Sequence, residues 1–303
     1  MKKIGYLLVI LAAVLWGTLG IPVNELKVLG MNSYEIGVTR SFFGAALIGI
    51  FMLFYDRSSF RINFRLLPLL IGVGAASQAG LNIGYFIAIS QLGLGISVVL
   101  LYTSPVFANL LAFLVYKEKL TIAKGISVVL AIIGCFLAVT GGIFTLNLSL
   151  LGILAGLLSG FSFGITPIFS KKLGGRATLL QILFYSFLFG GIIQVFFIDV
   201  GSYLLKMNPS IIFYGLILAI FPTIISFALY NRGLKHIDAG IASILCVMEV
   251  VIATIVAKFY FSEPLGLVKI IGILLIISAS VLPNLNFAGY AAREKIIDSK
   301  ASD

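Results

Sequence analysis

LGISVVLLYTSPVFANLLAFLVYKEKL, Leu94 to Leu120, can be laid without a gap on AGIASILCVMEVVIATIVAKFYFSEPL, Ala239 to Leu265. Gly95 then meets Gly240, Ala108 meets Ala253, Glu118 meets Glu263 and Leu120 meets Leu265, each pair 145 positions apart. Both stretches hold an apolar run long enough to cross a hydrocarbon slab about 30 Å thick, which takes roughly 20 residues of helix, and both end in a charged turn. Outward from this pair the likeness continues. IGYLLVILAAVLWGTLGIPVNEL from Ile4 matches LGILAGLLSGFSFGITPIFSKKL from Leu151 at a shift of 147, joining Gly5 to Gly152, Gly17 to Gly164 and Leu26 to Leu173. The chain therefore reads as a duplication, with one copy in residues 1–140, a second in residues 149–283 and a tail at 284–303.

The composition says what surrounds these copies. Of 303 residues, 60% are hydrophobic and only 11% charged, with a mean hydropathy of +1.16. A water-soluble fold of this length could not hide so much apolar surface behind so few charges. Ten apolar runs bounded by charge or turn residues fall near Ile4–Val23, Ser33–Phe54, Leu66–Ser90, Ile96–Tyr116, Ile122–Val139, Leu150–Phe169, Leu179–Phe197, Ile211–Tyr230, Gly240–Phe259 and Leu265–Leu282. The expected fold is all-α, a polytopic membrane protein of ten transmembrane helices, five in each copy. Because five is odd, the second copy enters the membrane from the opposite side, which makes the two copies inverted repeats. Lys2 and Lys3 before the first run could mimic a signal peptide. That run is long enough to span and lacks a small-residue cleavage site, so it reads as the first helix.

Charge sets the expected orientation. With the N-terminus inside, cytoplasmic segments hold 16 basic residues, among them Lys117, Lys119, Lys124, Lys171, Lys172, Arg293, Lys295 and Lys300. The other side holds four, Lys27, Lys206, Lys258 and Lys269, and Arg40 alone lies well within a span. The positive-inside rule then places both termini in the cytoplasm, which needs an even number of spans. The net charge of +10 is thus spread over short loops. It forms no Lys/Arg block or stacking platform for nucleic acid.

Certain residues also carry a family resemblance: Trp16–Gly17, the segment around Arg40 from Thr39 to Phe42, SPVFANLLAFLVYKEKLT at Ser104–Thr121 and MEVVIATIVAKFYFSEPLG at Met248–Gly266. Together they resemble the EamA-type drug/metabolite transporter superfamily over essentially the whole chain. The resemblance implies two EamA repeats, ten helices, residence in the bacterial inner membrane, and export of amino acids or related metabolites. Val250, where a proline is usual, and Phe163, where a tryptophan is common, depart from the pattern.

Candidate substrate residues come from the polar groups at membrane depth. Polar groups facing lipid cost several kcal/mol each, on the order of a lost hydrogen bond in hydrocarbon, so polar stripes should converge inward. Helical spacing puts Gln78, Asn82 and Tyr85 on one side of the third span, opposite Gly80 and Gly84. On the sixth, Thr166 with Ser159 and Ser162 lies beside a glycine stripe. The eighth aligns Thr223, Ser226 and Tyr230, and the fourth aligns Tyr102 with Asn109. Glu249 stands about ten residues into the ninth span, where a charge costs on the order of 3 kcal/mol. It could carry a proton, hold a substrate ammonium, or bond a neighbouring helix. Trp16, with Tyr85, Tyr102 and Tyr230, would supply aromatic faces, which also attract amines. Arg40 could approach Glu249 by depth, but a second helix outside the central bundle would leave it to snorkel or to find a carbonyl. Glu118 and Glu263 sit at helix ends as hinge or capping residues, and Pro105, Pro167 and Pro222 are expected to interrupt their helices.

These features point to a secondary transporter working by alternating access on a small-molecule substrate. Its partners would be the lipid bilayer and protons, and it would need no cofactor and no metal. A small-cation or lipid-headgroup transporter of the same kind is the alternative. A nucleotide-sugar transporter would want more cations at depth than Arg40. An enzyme finds little support in one histidine, His236, and two cysteines without metal-like spacing, Cys135 and Cys246, which read as packing residues.

Overall fold

In the computed structural model, which describes residues 2–143 and 149–283, each of the ten apolar runs is helical. The order is α1 (Lys2–Val28), α2 (Ser33–Tyr55), α3 (Phe64–Leu92), α4 (Leu94–Tyr116), α5 (Ile122–Thr140), α6 (Leu150–Leu173), α7 (Leu179–Val195), α8 (Pro209–Gly233), α9 (Ala239–Tyr260) and α10 (Leu267–Pro283). Eight of these are long and apolar enough to cross a membrane. The other two are α7, with 17 residues, which bends through 113° into the short helix Val200–Lys206, and α10, which is a shorter apolar helix. No strand occurs among the described residues. The tail expected at 284–303, with Arg293, Lys295 and Lys300, lies outside them.

Helix starts are closed by local side-chain hydrogen bonds, which satisfy N–H groups that have no partner within the helix. Asn32 and Glu35 form a capping box at α2, and Thr178 and Gln181 form the same device at α7, 146 positions later. Ser149 caps α6 by accepting from the N–H of Gly152, and Asn208 caps α8 by accepting from that of Ile211.

Other irregularities recur at the same offset between the halves. Ala75–Gly80 in α3 and Ile220–Ile225 in α8 are both π-helical, 145 positions apart. A break at Tyr102 in α4 is matched by one at Val247 in α9. Pro105 follows the first of these breaks and Pro222 sits in the second π turn, whereas α6 runs unbroken through Pro167. The α5 and α10 helices meet at Gly134 and Gly272, with backbone in close approach.

The two halves interlock through glycines. A methyl group on Gly17 would fall 2.7 Å from the carbonyl oxygen of Glu249, and one on Gly164 would fall 2.7 Å from that of Ser104. Gly17 and Gly164 correspond in the duplication, and so do Ser104 and Glu249. The first helix of each copy therefore lies flush against the fourth helix of the other. Gly5 against Ile237 and Gly152 against Leu92 repeat the relation one helix end away. In lipid, association has no hydrophobic drive, and close backbone approach of this kind supplies the dispersion contacts that replace it. Direction follows from Glu118, just past α4, whose carboxylate accepts from the backbone N–H of Ala239 at the start of α9 at 3.0 Å. The end of α4 thus meets the beginning of its copy, and the two run antiparallel.

Overpacking either glycine should cost about 1–3 kcal/mol, the usual price of forcing extra volume into a filled interface. Gly17→Val and Gly164→Val are expected to lower the melting temperature in detergent by similar amounts. Gly125→Ala, at a helical site with nothing within 4 Å of the added methyl, should leave it unchanged or slightly higher. Parent-like melting of both valine variants would show that this contact does not hold the halves together.

Candidate functional site

A cavity of about 580 Å³ lies where the two copies face each other, within the range usual for small-molecule sites. Trp16, Asn82, Tyr85, Tyr102, Thr166, Tyr230 and Glu249 all line it. It continues past Val23 and Ile89 to a mouth formed by Lys27, Leu94, Glu263 and Lys269. Leu94 there is 52% exposed. The mouth is at the opposite end of the bundle from Glu118, Lys171 and the N-terminus of α9.

Gln78 is the exception among the expected site residues. It is fully buried and packs against Gly190 of α7. Counting 100° per residue puts it on the face of Asn82 and Tyr85 only if the helix is regular. The π turn at Ala75–Gly80 adds residue length within that interval and rotates everything before it out of register. Asn82 keeps its place, donating to Gln194 Oε1 at 3.2 Å, while Gln194 in turn donates to Ser41 Oγ at 3.0 Å. Gln194 ties α3, α7 and α2 together, and nothing in its sequence surroundings marked it. Asn109, aligned with Tyr102 by spacing, instead bonds the carbonyls of Pro105 at 2.8 Å and Gly240 at 3.4 Å. The break at Tyr102 separates the two residues.

Three features set the chemistry. Glu249 accepts a hydrogen bond from the hydroxyl of Tyr102, so the repeat-crossing contact of α4 with α9 orients the carboxylate. Arg40 is on the cavity wall, not outside the bundle, because α2 packs between α7 and α8. Its Nε donates to Thr223 Oγ1 at 2.9 Å, and its guanidinium lies 5.9 Å from the centre of the Phe227 ring. Thr223 can accept because its own hydroxyl donates five residues back, to the Leu218 carbonyl at 2.8 Å, as the π turn allows. Arg40 and Glu249 face the same space without forming an ion pair within 4.0 Å.

The third feature is an aromatic floor. Trp16 meets Phe227 at 5.2 Å, Tyr230 at 5.4 Å and Phe163 at 6.4 Å between ring centres. Phe163 is the residue that corresponds to Trp16 in the second copy, so the two meet near the axis relating the halves. The indole Nε1 of Trp16 is buried without a hydrogen-bond partner, which leaves a donor unmatched beside the cavity. Arg40 was visible in the sequence as the one cation at depth. Its lateral position was not, because helix neighbours cannot be read from periodicity. Among the described residues no group of three His, Cys, Asp or Glu side chains could hold a metal ion.

Comparison with known proteins finds relatives along nearly the whole chain. The model of the EamA-like transporter family matches twice, over residues 3–140 and 150–285. A protein of Archaeoglobus fulgidus named as an uncharacterized transporter is 28% identical over 275 residues, which cover 89% of this chain and 92% of that protein. The inner membrane transporter YicL of Salmonella typhimurium, likewise named as uncharacterized, is 26% identical over 287 residues, 93% of this chain and 95% of its own. A solved crystal structure at 18% identity covers 94% of this chain and 98% of its own with a TM-score of 0.75, a likeness of fold. With both halves matched by the family model, the chain belongs to the EamA-like transporter family and is a membrane transporter.

Proposed function

We propose that the protein is a secondary transporter that exports small zwitterionic metabolites, amino acids first among them, by alternating access. The observation that carries this reading is the pair of opposite charges, Arg40 and Glu249, facing one cavity without pairing to each other. A guanidinium presents planar donors suited to a carboxylate, and a carboxylate in a water-poor site suits an ammonium. A substrate bearing both groups satisfies both walls at once, and its carboxylate can accept from the unmatched Trp16 indole, a donor that costs about 1–3 kcal/mol when left buried alone. Tyr85, Tyr102 and Tyr230 then supply apolar faces to the side chain.

In this reading residues 1–140 and 149–283 are two inverted five-span units, ten crossings in all, that rock about the cavity in a bacterial inner membrane with both termini in the cytoplasm. The cavity mouth is the outer one. A nucleotide sugar, with two phosphates to neutralise, matches this wall poorly because Arg40 is its only cation at depth. A lone organic cation would leave Arg40 unanswered.

A thermal-shift screen of the purified protein against amino acids, quaternary amines and nucleotide sugars tests the substrate class. A ligand at 100 times its Kd stabilises by about 2.7 kcal/mol, so binding is easily seen. Amino acids are expected to raise the melting temperature, and Arg40→Gln to weaken that ligand roughly 10-fold or more, as loss of a charged hydrogen bond does. Stabilisation by amines alone, indifferent to Arg40→Gln, would contradict the reading.

We also propose that Glu249 is the group through which a proton gradient drives the substrate uphill, since a carboxylate can exchange an ammonium for a proton. In proteoliposomes at saturating substrate, Glu249→Gln should keep substrate exchange while losing accumulation driven by a pH gradient. Accumulation that follows the gradient as in the parent would rule this out.

A further inference from the structure

Glu118 and Glu263 occupy the same place in the two halves and are held in opposite states. Each follows a residue in the left-handed region, Lys117 and Ser262, both at φ 56°. Each turns its own N–H back six residues, to Ala112 at 3.3 Å and to Ala257 at 3.0 Å. The two turns therefore present their carboxylates alike, yet the carboxylates do different things. Glu118, with its side chain 8% exposed, accepts from Lys171 Nζ at 2.7 Å and from the N–H groups of Ala239 and Gly240 at 3.0 and 3.4 Å. It thereby closes the first turn of α9, whose free donors and positive end favour an anion. Glu263, with its side chain 53% exposed, reaches Lys269 at 3.0 Å on the cavity mouth. The positions that correspond to Ala239 and Gly240 are Leu94 and Gly95, and Gly93, the residue capping that turn of α4, offers no side chain to their N–H groups.

A second cavity makes the same comparison. It measures about 260 Å³ and is lined by Ser170, Gly174, Leu179, Ile182, Asn231 and Leu234 among others. Carried back by the shifts of 147, 146 and 145 that relate the paired helices, these become Val23, Lys27, Ser33, Ile36, Phe86 and Ile89. All six line the large cavity. Six of the small cavity's nine lining positions thus recur in the approach to the large one, at the other end of the bundle, while the counterparts of Lys171, Ala177 and Lys235, which are Asn24, Met31 and Ser90, do not line it.

We propose that Glu118 and Glu263 are alternating latches, and that the 260 Å³ cavity is the second vestibule of the transport path in its closed form. Docking of Glu263 on the first turn of α4 closes the large mouth, and release of Glu118 from α9 opens the small one. One helix start loses its carboxylate as the other gains one, so the two states stay close in free energy, as an alternating device requires. The latch rests on the alternating-access reading above.

Repeat-matched reporters separate the two ideas. Ile89→Cys and Leu234→Cys, one on each path, are made singly with Cys135→Ala and Cys246→Ala, and their rates of reaction with a polar maleimide are measured in nanodiscs with both faces accessible. Glu118→Gln should speed labelling at 234 and slow it at 89, by roughly tenfold in their ratio, the order expected from one charge-assisted hydrogen bond. Glu263→Gln should move the ratio the opposite way. Glu263 is exposed here, so its variant carries the test even where Glu118→Gln folds poorly, and a merely structural role would leave both rates unmoved. A parent that reacts at both positions but does not respond to Glu263→Gln, or responds in the same direction as to Glu118→Gln, overturns the latch alone. A parent whose position 234 never reacts, with or without amino acids, removes alternating access and the latch with it.

Discussion

A carboxylate and a guanidinium at the middle of a hydrocarbon slab are stable only if the protein supplies what water would have supplied. The rest of this structure can be read from that constraint. Glu249 takes a hydrogen bond from Tyr102 and Arg40 gives one to Thr223, so each charge is anchored to a helix other than its own. Such anchoring needs helices that approach closely. Gly17 of α1 against α9 and Gly164 of α6 against α4 provide it, each lacking the Cβ that would hold the backbones apart. Replacing the anchors by apolar groups would cost the cavity its polarity, and losing the glycines would move the anchors out of reach.

Duplication explains why so much of the architecture comes in pairs. The π turns, the breaks at Tyr102 and Val247, the capping boxes and the left-handed turns before Glu118 and Glu263 recur at nearly constant offset. A π turn inserts length without breaking the helix, and here it frees the carbonyl of Leu218 to hold Thr223 in line with Arg40. The symmetry fails at the cavity wall. Arg40 corresponds to Ser186 and Glu249 to Ser104, so the two charged residues have short hydroxyl side chains as counterparts. The duplicated frame repeats, and the two charged residues do not.

Much of this was legible in the residues. Ten helices follow from hydropathy because lipid leaves a backbone no cheaper alternative, and the inverted copies follow from glycines and glutamates at fixed spacing. Seven of the eight expected site residues share the cavity, since a polar side chain at depth has few other places to go. Gln78 was misplaced because helical counting assumes a regular helix, and AASQAG carries no proline to announce its π turn. Arg40 was seen but not located, because depth along a helix can be counted while its neighbours cannot. Glu118 and Glu263 look alike in the sequence, and their different partners, Lys171 with the start of α9 for one and Lys269 for the other, depend on neighbours that spacing along the chain does not reveal.

The central proposal is that one substrate bridges Arg40 and Glu249. The most direct test is a binding cycle by calorimetry with an amino acid and its decarboxylated amine, each against the parent and Arg40→Gln. The account predicts that losing the carboxylate costs the parent about 1.5–3 kcal/mol and costs the variant little, because the two changes remove the same contact. Equal losses in parent and variant would contradict it.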